Sequence, residues 1–342
     1  MPTINGMIQI RPETAIALLI SGIVGAYAFQ RYLIKETLAE TPSQQPMAFK
    51  GGLFGFTSLC LHSVQMVNHN TKRLRFELPD PNSRSGLSLT CTLLCNPISL
   101  PFCPVMLIHL AALLTLHRPA GSLFPVIRPY TPINDLGKIN ISTVATNFPI
   151  AKNGPADEPG YVELLVKKYP DGKASSYLHS LKPGDSLLFG GPIKGYAWKS
   201  NEADHINLIA GGSGIAPMYQ LIQRILNDLK ENTKIKLIFG ANADADLVLK
   251  AELDAFEKRF PDRLKVVYTV SSPVEGSPFL KGYVTKELLE QQLVRSAKGT
   301  EKIFVCGPPS MEASIVGTNG FFHRQKGILE EIGYSRNQIH TF

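Results

Sequence analysis

A short glycine turn between an apolar run and a helix constrains this chain more than any other feature. Residues 205–210 predict a strand, and the turn directly after it consists of Gly211, Gly212, Ser213 and Gly214. Pro217 then falls in the first turn of the next helix, where its missing N–H costs little. Small residues at such a junction leave free amides at the positive end of a helix, which suits a dinucleotide pyrophosphate. The common GxGxxG spacing is absent, so the prediction depends on the amides alone.

The segments after this turn alternate between predicted strands and a predicted helix. Strands are predicted at 234–240, 264–270 and 302–306, and a helix at 247–260. This order is typical of a parallel sheet with helices on both faces, which binds nucleotide at the carboxyl ends of its strands. Cys306, Gly307 and Pro308 follow one of these strands and are expected at the same edge. We therefore predict an α/β, Rossmann-like NAD-binding domain over residues 196–342.

Asp246 lies near the end of the second strand-to-helix connection of this region. An acid in that place accepts a hydrogen bond from a ribose 2′-hydroxyl and repels a 2′-phosphate. No arginine lies between Gly240 and Leu247 to bind such a phosphate, so the sequence favours NADH over NADPH. Capping of the following helix is the alternative role for Asp246. Cys306 is either a buried strand-end residue or a thiol beside the nicotinamide.

The region before residue 196 has a different pattern, in which proline and glycine turns separate short β segments. Strands are predicted at 56–67, 73–78, 161–168 and 186–190. Short strands with this punctuation are typical of a small antiparallel β-barrel. We predict such a barrel over residues 51–195, and the two motifs below make it the candidate FAD-binding domain.

Two motifs of this first region favour a flavin nucleotide. One strand is predicted to end in a cationic, aromatic and hydroxyl-bearing group, which consists of Arg128, Pro129, Tyr130 and Thr131. A short helix is predicted to begin with Gly172, Lys173, Ala174 and Ser175. Backbone amides at that helix start, helped by the Ser175 hydroxyl, suit a phosphate. Each motif alone is also typical of an ordinary strand end or helix cap, but together they indicate a second cofactor site and electron transfer between the two.

Composition excludes several other function classes. The chain has 342 residues, 44% hydrophobic and 18% charged, and is therefore globular and long enough for two domains. Its net charge of +7 suits an acidic protein partner or an anionic membrane, whereas no basic cluster with interleaved aromatics favours nucleic acid. The 5 cysteines include no CxxC pair, which argues against a disulfide framework, a zinc ribbon or a plant-type iron–sulfur cluster. Redox chemistry is therefore expected from organic cofactors and not from a metal.

The amino-terminal segment predicts a membrane anchor. Residues 14–29 carry no charge and have charged residues on both sides. As a helix they span about 24 Å, and snorkelling by Arg31 extends this toward the ~30 Å hydrocarbon core. The alternatives are a signal peptide, since residues 26–28 resemble a cleavage site, and a buried helix. We predict an anchor helix and a polar linker over residues 1–50.

Taken together, these motifs resemble the NADH–cytochrome b5 reductase family of the ferredoxin–NADP reductase-like superfamily. The likeness lies in residues 128–131, 173–175, 211–218 and 306–309, and for the fungal mitochondrial members in residues 67–76, 191–198 and Phe342. The resemblance implies FAD and NADH as cofactors, with a hydride passing to the flavin and single electrons passing on to cytochrome b5. It also implies the mitochondrial outer membrane, with the endoplasmic reticulum as the alternative. Nothing in the sequence demands more than a monomer.

The same resemblance implies roles for single residues. FAD is assigned Arg128, Pro129, Tyr130, Thr131, Lys167, Tyr169, Gly172, Lys173, Ala174 and Ser175, and NADH is assigned Gly211, Gly212, Ser213, Gly214, Pro217, Asp246, Cys306, Gly307 and Pro308. Thr131, Lys167 and Cys306 are predicted as the catalytic residues. The family usually has threonine at the positions of Ser213, which keeps the hydroxyl, and of Ala216, which does not.

Two stretches depart from the family pattern. Residues 91–111 separate parts of the chain that the family joins almost directly, within a segment, 85–116, that lacks any Asp, Glu, Lys or Arg. Residues 136–155 interrupt the chain in the same way, and both stretches resemble translated intron sequence. Prolines and the cysteine spacing argue against a second membrane span or a metal site in the first stretch. The alternative function is therefore a non-catalytic or poorly folding variant of the reductase, and a soluble reductase with another acceptor is a third hypothesis.

Overall fold

The structure, a computed structural model, divides between residues 45 and 46, and the two domains described below both lie in the unit 46–342. It describes residues 56–81, 113–117, 126–134, 160–190, 196, 198–228, 230–296, 300–319 and 324–342. The predicted anchor at 14–29 and both predicted insertions, 91–111 and 136–155, lie outside the described residues. Within those ranges, no helix is long and apolar enough to cross a bilayer.

The first domain is a curled, six-stranded antiparallel sheet, in agreement with the prediction. Its strands are β1 (Phe56–Met66), β2 (Thr71–Glu77), β3 (Leu113–His117), β4 (Val126–Tyr130), β5 (Tyr161–Lys167) and β6 (Ser186–Gly190). They pair in the order β4-β3-β6-β1-β2-β5. An isolated antiparallel bridge between Pro132 and Leu164 joins the two edges of the sheet. The strands on either side of the predicted insertions are β3, β4 and β5, and all three pair within this sheet.

The core of this sheet follows from the two-residue period of its strands. Leu59 and Leu61 of β1 are buried, whereas Cys60 and His62 between and after them are exposed. Phe76 of β2 packs edge-on against Phe189 of β6, with ring centroids 4.9 Å apart. Burial of each such side chain contributes roughly 1.5–3 kcal/mol relative to exposure. These contacts stabilise the sheet that carries residues 128–131.

The second domain is built on a six-stranded parallel sheet. Its strands are β7 (His205–Gly211), β8 (Lys234–Ala241), β9 (Leu264–Val270), β10 (Leu280–Lys281), β11 (Lys302–Cys306) and β14 (Ile339–Thr341), and a separate hairpin joins β12 (Gly317–Asn319) to β13 (Arg324–Lys326). The strand order is β10-β9-β8-β7-β11-β14. The chain runs outward from β7 to β10 and then returns to β11 on the other side. Because the order reverses between β7 and β11, the crevice at their carboxyl ends is where an open α/β sheet binds its ligand.

Helices cover both faces of this parallel sheet. The described helices are α1 (Lys173–Ser180, in the first domain), α2 (Ile215–Asn227), α3 (Lys250–Arg259), α4 (Lys286–Gln292), α5 (Pro309–Val316) and α6 (Ile328–Glu331). Leu208 of β7 faces a core that includes α2, whereas its neighbour Ile209 faces the opposite core. The α2 core also contains Ile133 and Leu165 from the first domain. The two domains therefore share apolar packing.

One predicted boundary is wrong, and the error bears on the site. The helix predicted at 247–260 begins only at Lys250, because a 3-10 turn occupies Asp244–Asp246 and Leu249 adopts a left-handed φ of 59°. Leu249 is buried, so burial in the core outweighs its helical preference. Leu249, and not Asp246, occupies the N-cap position. The alternative in which Asp246 caps this helix is therefore excluded.

Candidate functional site

The carboxyl edge of the parallel sheet brings the two predicted dinucleotide motifs together. Parallel pairing sets Cys306 beside Ala210. A Cβ atom added to Gly214 would overlap the carbonyl oxygen of Cys306, and one added to Gly211 would lie 2.5 Å from the Met311 Sδ. Gly214 requires glycine because its neighbour is backbone, whereas at Gly211 the Met311 side chain would have to move. The sequence motifs 211–214 and 306–308 thus form one site.

The junction between β7 and α2 has the chemistry of a phosphate site. Gly212 has a φ of +52°, and a Cβ there would face open space, with no atom of the described residues within 4 Å. Ser213 is exposed, and Pro217 lies in the first turn of α2 as predicted. Within the described chain, no side chain caps the start of α2 and no acid lies in its first turn. The Ile215 N–H bonds to the Gly212 and Ser213 carbonyls, so the part of this helix start that is accessible to a pyrophosphate is the Gly212–Ser213 turn.

The neighbouring junction between β11 and α5 is occupied by the chain's own carboxylate. The Gly307 N–H donates to Glu312 Oε1 at 3.0 Å, directly before the N-cap residue Pro308. Burial raises the pKa of the Glu312 carboxyl, and the Gly307 amide partly opposes this. Burial, with a smaller contribution from Glu312, raises the pKa of the partly exposed Cys306 thiol to about 12. Cys306 is therefore a neutral thiol at physiological pH.

The predicted flavin motif lies at the end of β4, as expected. Arg128 is exposed, and its Nη1 donates to the Ile127 carbonyl at 2.9 Å. Tyr130 packs against the core of the first domain. Burial raises the pKa of Tyr130, the neighbouring Tyr169 adds to this, and Arg128 opposes it. An exposed guanidinium beside a half-buried neutral phenol, with the buried Thr131 next to it, fits a flavin phosphate and ring.

The start of α1 is the predicted phosphate loop, and its backbone cap and side chains are as follows. Gly172 is the N-cap, and among the described residues no side chain caps this helix. Lys173 is exposed, whereas Ala174 and Ser175 are buried. The Ser175 hydroxyl donates to the Gly172 carbonyl at 3.0 Å and accepts from the Tyr169 N–H at 3.2 Å. The hydroxyl therefore stabilises the turn itself, and its predicted help in binding a phosphate stays a prediction.

Residues of the two domains meet across the site. The hydroxyls of Tyr169 and Ser213 lie 2.9 Å apart. The Lys167 ammonium lies 3.4 Å from Asp246 Oδ1. These contacts join the end of β5, on the flavin side, to the connections after β7 and β8, on the nucleotide side. Lys167 and Tyr169 therefore connect the two halves of the candidate site, and their predicted roles toward the cofactors stay predictions.

Asp246 is buried and bound to the first domain. It is 5% exposed, and its Oδ1 contacts Asn70 Nδ2 at 3.5 Å in addition to Lys167. A carboxylate held in this way after the second strand retains the chemistry to accept a ribose hydroxyl and repel a phosphate. The preference for NADH that follows from Asp246 stays a prediction.

Sequence reasoning missed Gln220 of α2. This residue is 2% exposed, and its Nε2 donates to the Pro132 carbonyl directly after the flavin motif. The available signal was a pair of glutamines, Gln220 and Gln223, one turn apart in an otherwise largely apolar helix, because buried polar groups generally have a hydrogen-bond partner. In the ranges that the structure describes, no group of three or more His, Cys, Asp or Glu residues could hold a metal ion.

Comparisons with known proteins decide the family. The oxidoreductase NAD-binding domain family matches residues 208–316, and the oxidoreductase FAD-binding domain family matches residues 138–198. NADH-cytochrome b5 reductase 2 of Emericella nidulans is 38% identical over 331 residues, which cover 96% of this chain and 89% of that protein. The protein of the same name from Neurospora crassa is 39% identical over 305 residues, or 88% of this chain and 77% of that protein.

This chain belongs to the NADH–cytochrome b5 reductase family. The predicted family, the FAD-binding and NAD-binding domains and the class of NADH-dependent flavin oxidoreductase are therefore confirmed. Solved structures share the reductase fold. The cytochrome b5 reductase domain of Ulva prolifera nitrate reductase has a TM-score of 0.63 and 24% identity, over 87% of this chain and 100% of that chain. The CS-b5R domains of human Ncb5or have a TM-score of 0.63 and 22% identity, over 84% and 69%.

Proposed function

We propose that this enzyme passes electrons from NADH, through FAD, to cytochrome b5. The observation that carries the proposal is the contact between flavin-side residues Lys167 and Tyr169 and nucleotide-side residues Asp246 and Ser213. Residues that meet in this way would hold the two cofactors on either side of one seam and so favour direct transfer between them. FAD supplies the chemistry when bound, since a flavin accepts a hydride and releases electrons one at a time. No protein residue has to act as a general base.

On the flavin side, the protein binds and orients. Arg128 would make a charge-assisted hydrogen bond to the FAD phosphates, which the uncapped amides that begin α1 and Lys173 would also help to bind. Tyr130 and Thr131 hold the ring, and Lys167 lies where the ring and the nucleotide meet. The remaining residues assigned to FAD shape the strand end and the turn, namely Pro129, Tyr169, Gly172, Ala174 and Ser175.

On the nucleotide side, the amides of Gly211–Gly214 and the start of α2 bind the pyrophosphate of NADH. Cys306, Gly307 and Pro308 border the nicotinamide. Because the pKa of Cys306 is about 12, its thiol contributes a neutral contact surface and does not remove a proton. Asp246 accepts from the ribose 2′-hydroxyl and disfavours NADPH.

Cytochrome b5 is the proposed acceptor because the named relatives are cytochrome b5 reductases and because this chain is basic. A net charge of +7 favours encounter with an acidic haem protein, since opposite charges steer association. We propose that the enzyme acts as a monomer.

The first test is the visible absorbance of the full-length protein in mild detergent, before and after NADH and NADPH are added without oxygen. We expect a flavin spectrum that bleaches with NADH and far less with NADPH, followed by reduction of cytochrome b5 in its haem bands. A bleached flavin that does not reduce cytochrome b5 would contradict the acceptor alone. A protein that stays colourless with FAD supplied would favour the variant disrupted by residues 91–111 and 136–155.

We also propose that residues 14–29 anchor the enzyme in the mitochondrial outer membrane, with the endoplasmic reticulum as the alternative. The proposal is supported by the uncharged segment and by the likeness to the fungal mitochondrial proteins. Cell fractionation with alkaline carbonate extraction tests both parts. Release by carbonate would contradict the anchor, and recovery with endoplasmic reticulum markers would contradict the location only.

A further inference from the structure

We propose that the turn between β1 and β2, which belongs to the flavin-side domain, positions Asp246 of the nucleotide-side domain and so sets the preference between NADH and NADPH. This turn comprises residues 67–70 and is called the β1–β2 turn below. The inference rests on the proposed role of Asp246 as the residue that distinguishes the two dinucleotides. The inference adds that Asp246 distinguishes NADH from NADPH only when the flavin-side domain holds it in position.

The β1–β2 turn is itself rigid. The N–H of Val67 donates to the Thr71 carbonyl at 2.9 Å, and the N–H of Asn70 donates to Asn68 Oδ1 at 3.0 Å. The Asn70 carbonyl accepts from the Lys168 N–H at 2.7 Å. The turn is therefore tied to the end of β5, next to Lys167. Side chains on such a turn hold a defined position.

Asn68 contacts the backbone immediately before Asp246. Its Nδ2 donates to the Ala245 carbonyl at 2.7 Å, while its Oδ1 accepts from Asn70 within the turn. Because both ends of the amide are used, the side chain has one orientation. Ala245 is the middle residue of the 3-10 turn Asp244–Asp246. Asn68 thus holds the backbone that carries the carboxylate.

Asn70 contacts the carboxylate itself. Its Nδ2 lies 3.5 Å from Asp246 Oδ1, the same oxygen that Lys167 approaches at 3.4 Å. Among the described residues, both side-chain contacts to this carboxylate reach Oδ1, which leaves Oδ2 to accept from a ribose hydroxyl. An acidic side chain in this place repels a 2′-phosphate.

A third contact extends the same interface. Arg73 of β2 donates to Glu252 of α3 at 2.7 Å, and its side chain is 19% exposed. Glu252 follows Asp246 by six residues, so the segment between them is held at both ends by the first domain. The position of Asp246 relative to the flavin side is therefore determined by domain contacts and not by β8 alone.

The inference predicts a change in selectivity without a loss of chemistry. Removal of both amides, in Asn68→Ala/Asn70→Ala, should lower the ratio of kcat/KM for NADH to that for NADPH by about tenfold, since each hydrogen bond contributes modestly. The change should come from KM, with kcat for NADH unchanged. The Kd values of NAD⁺ and NADP⁺, measured by titration calorimetry on the FAD-loaded full chain, should converge in parallel.

Three further variants make the result decisive. Asp246→Asn is the reference and should lower the same ratio by more than the double variant, because it removes the charge and frees Lys167 to pair with a 2′-phosphate. Asn68→Gln keeps the amide and should restore part of the selectivity. Asn232→Ala changes an exposed asparagine just before β8, at the amino ends of the parallel strands and so opposite the crevice. It should leave the ratio at its native value. Flavin absorbance and thermal melting verify that each variant folds.

Two outcomes overturn the inference and separate it from the proposed function. If Asp246→Asn lowers the ratio and Asn68→Ala/Asn70→Ala does not, Asp246 keeps its role and the β1–β2 turn has none. If the turn variants lower the ratio equally in the native and Asp246→Asn backgrounds, the turn does not act through Asp246. If Asp246→Asn leaves the ratio unchanged, the proposed function of that residue fails first, and the inference fails with it.

Discussion

The junctions β7–α2 and β11–α5 lie side by side at the reversal of strand order, yet they differ in charge. At β7–α2, within the described residues, no side chain caps the helix and no acid lies in its first turn. At β11–α5, Glu312 lies in the first turn and accepts from Gly307. Both helices present positive ends to the same crevice. The β7–α2 junction, called the open junction below, is left free for an anion of the ligand. The β11–α5 junction, called the closed junction, is satisfied by the carboxylate of Glu312.

This difference explains how one crevice distinguishes the parts of a dinucleotide. A pyrophosphate carries negative charge and fits the open junction. The reduced nicotinamide ring carries no negative charge and therefore tolerates a neutral thiol and a neighbouring carboxylate. The orientation of NADH across the crevice is therefore expected to follow from the contrast between Ser213 and Glu312. The predictions below test that contrast.

The largest effect is expected when the contact between the two junctions is broken. In Gly214→Ala the added Cβ would overlap the Cys306 carbonyl oxygen, and neither backbone can move cheaply. We expect a loss of about 1–3 kcal/mol in the free energy of unfolding and about a hundredfold slower flavin reduction by NADH, because a small misplacement misaligns the reacting groups. Urea unfolding and stopped-flow absorbance measure the two.

Gly212→Ala is the matched control for that variant. The added Cβ meets no atom of the described residues within 4 Å, so only the left-handed φ of +52° opposes it. Its cost is expected to be about 1–2 kcal/mol, with faster flavin reduction than in Gly214→Ala. Equal rates in the two variants would show that the contact between the junctions is not what aligns the cofactors.

A smaller effect is expected when the open junction receives a charge. Ser213→Asp places a carboxylate beside the amides that bind the pyrophosphate and should raise the Kd of NAD⁺ about tenfold or more. Ser213→Asn is close in volume to the aspartate and neutral, so it should stay near the native Kd. Titration calorimetry on the FAD-loaded protein measures both, and equal Kd values for the two variants would sink the phosphate assignment.

A pH-dependent change in stability is expected at the closed junction. Burial raises the pKa of Glu312, so the folded protein holds its proton more tightly than the unfolded chain. Its contribution to stability is therefore present below the ordinary carboxyl pKa of about 4.3 and declines as the pH rises above it. Relative to the native protein, Glu312→Gln should gain stability between about pH 4 and about pH 7. Urea unfolding at both ends of this window measures the slope, and a slope of opposite sign contradicts the prediction.

The smallest effect is expected in the reactivity of Cys306. With a pKa of about 12, the thiolate is a minute fraction at neutral pH, so alkylation by iodoacetamide should be very slow. The exposed Cys60 serves as the internal reference in the same digest. Peptide mass spectrometry should find Cys60 labelled while Cys306 is not. Labelling of both at one rate would mean that the thiol at the closed junction is activated.

Much of the fold could be predicted because its determinants are local. The strands Ser186–Gly190, Leu264–Val270 and Lys302–Cys306 have the bounds that the apolar runs predict. The helix start at Lys250 could not be predicted, because Leu249 leaves the helical conformation in order to pack in the core. Ser175 shows the same limit at the candidate site, since its hydroxyl bonds within the turn that contains it.

The sequence by itself determined the two cofactor motifs, the main strands of both domains and the family, because glycine turns and side-chain periods act over a few residues. Only the tertiary structure decided what Asp246 touches. Its partner Asn70 is 176 positions away in the chain, and the two meet because Ile133 and Leu165 of the first domain pack into the α2 core of the second. Non-directional apolar burial sets that docking, and the hydrogen bonds that decide the site form only where the docked surfaces bring donors to acceptors.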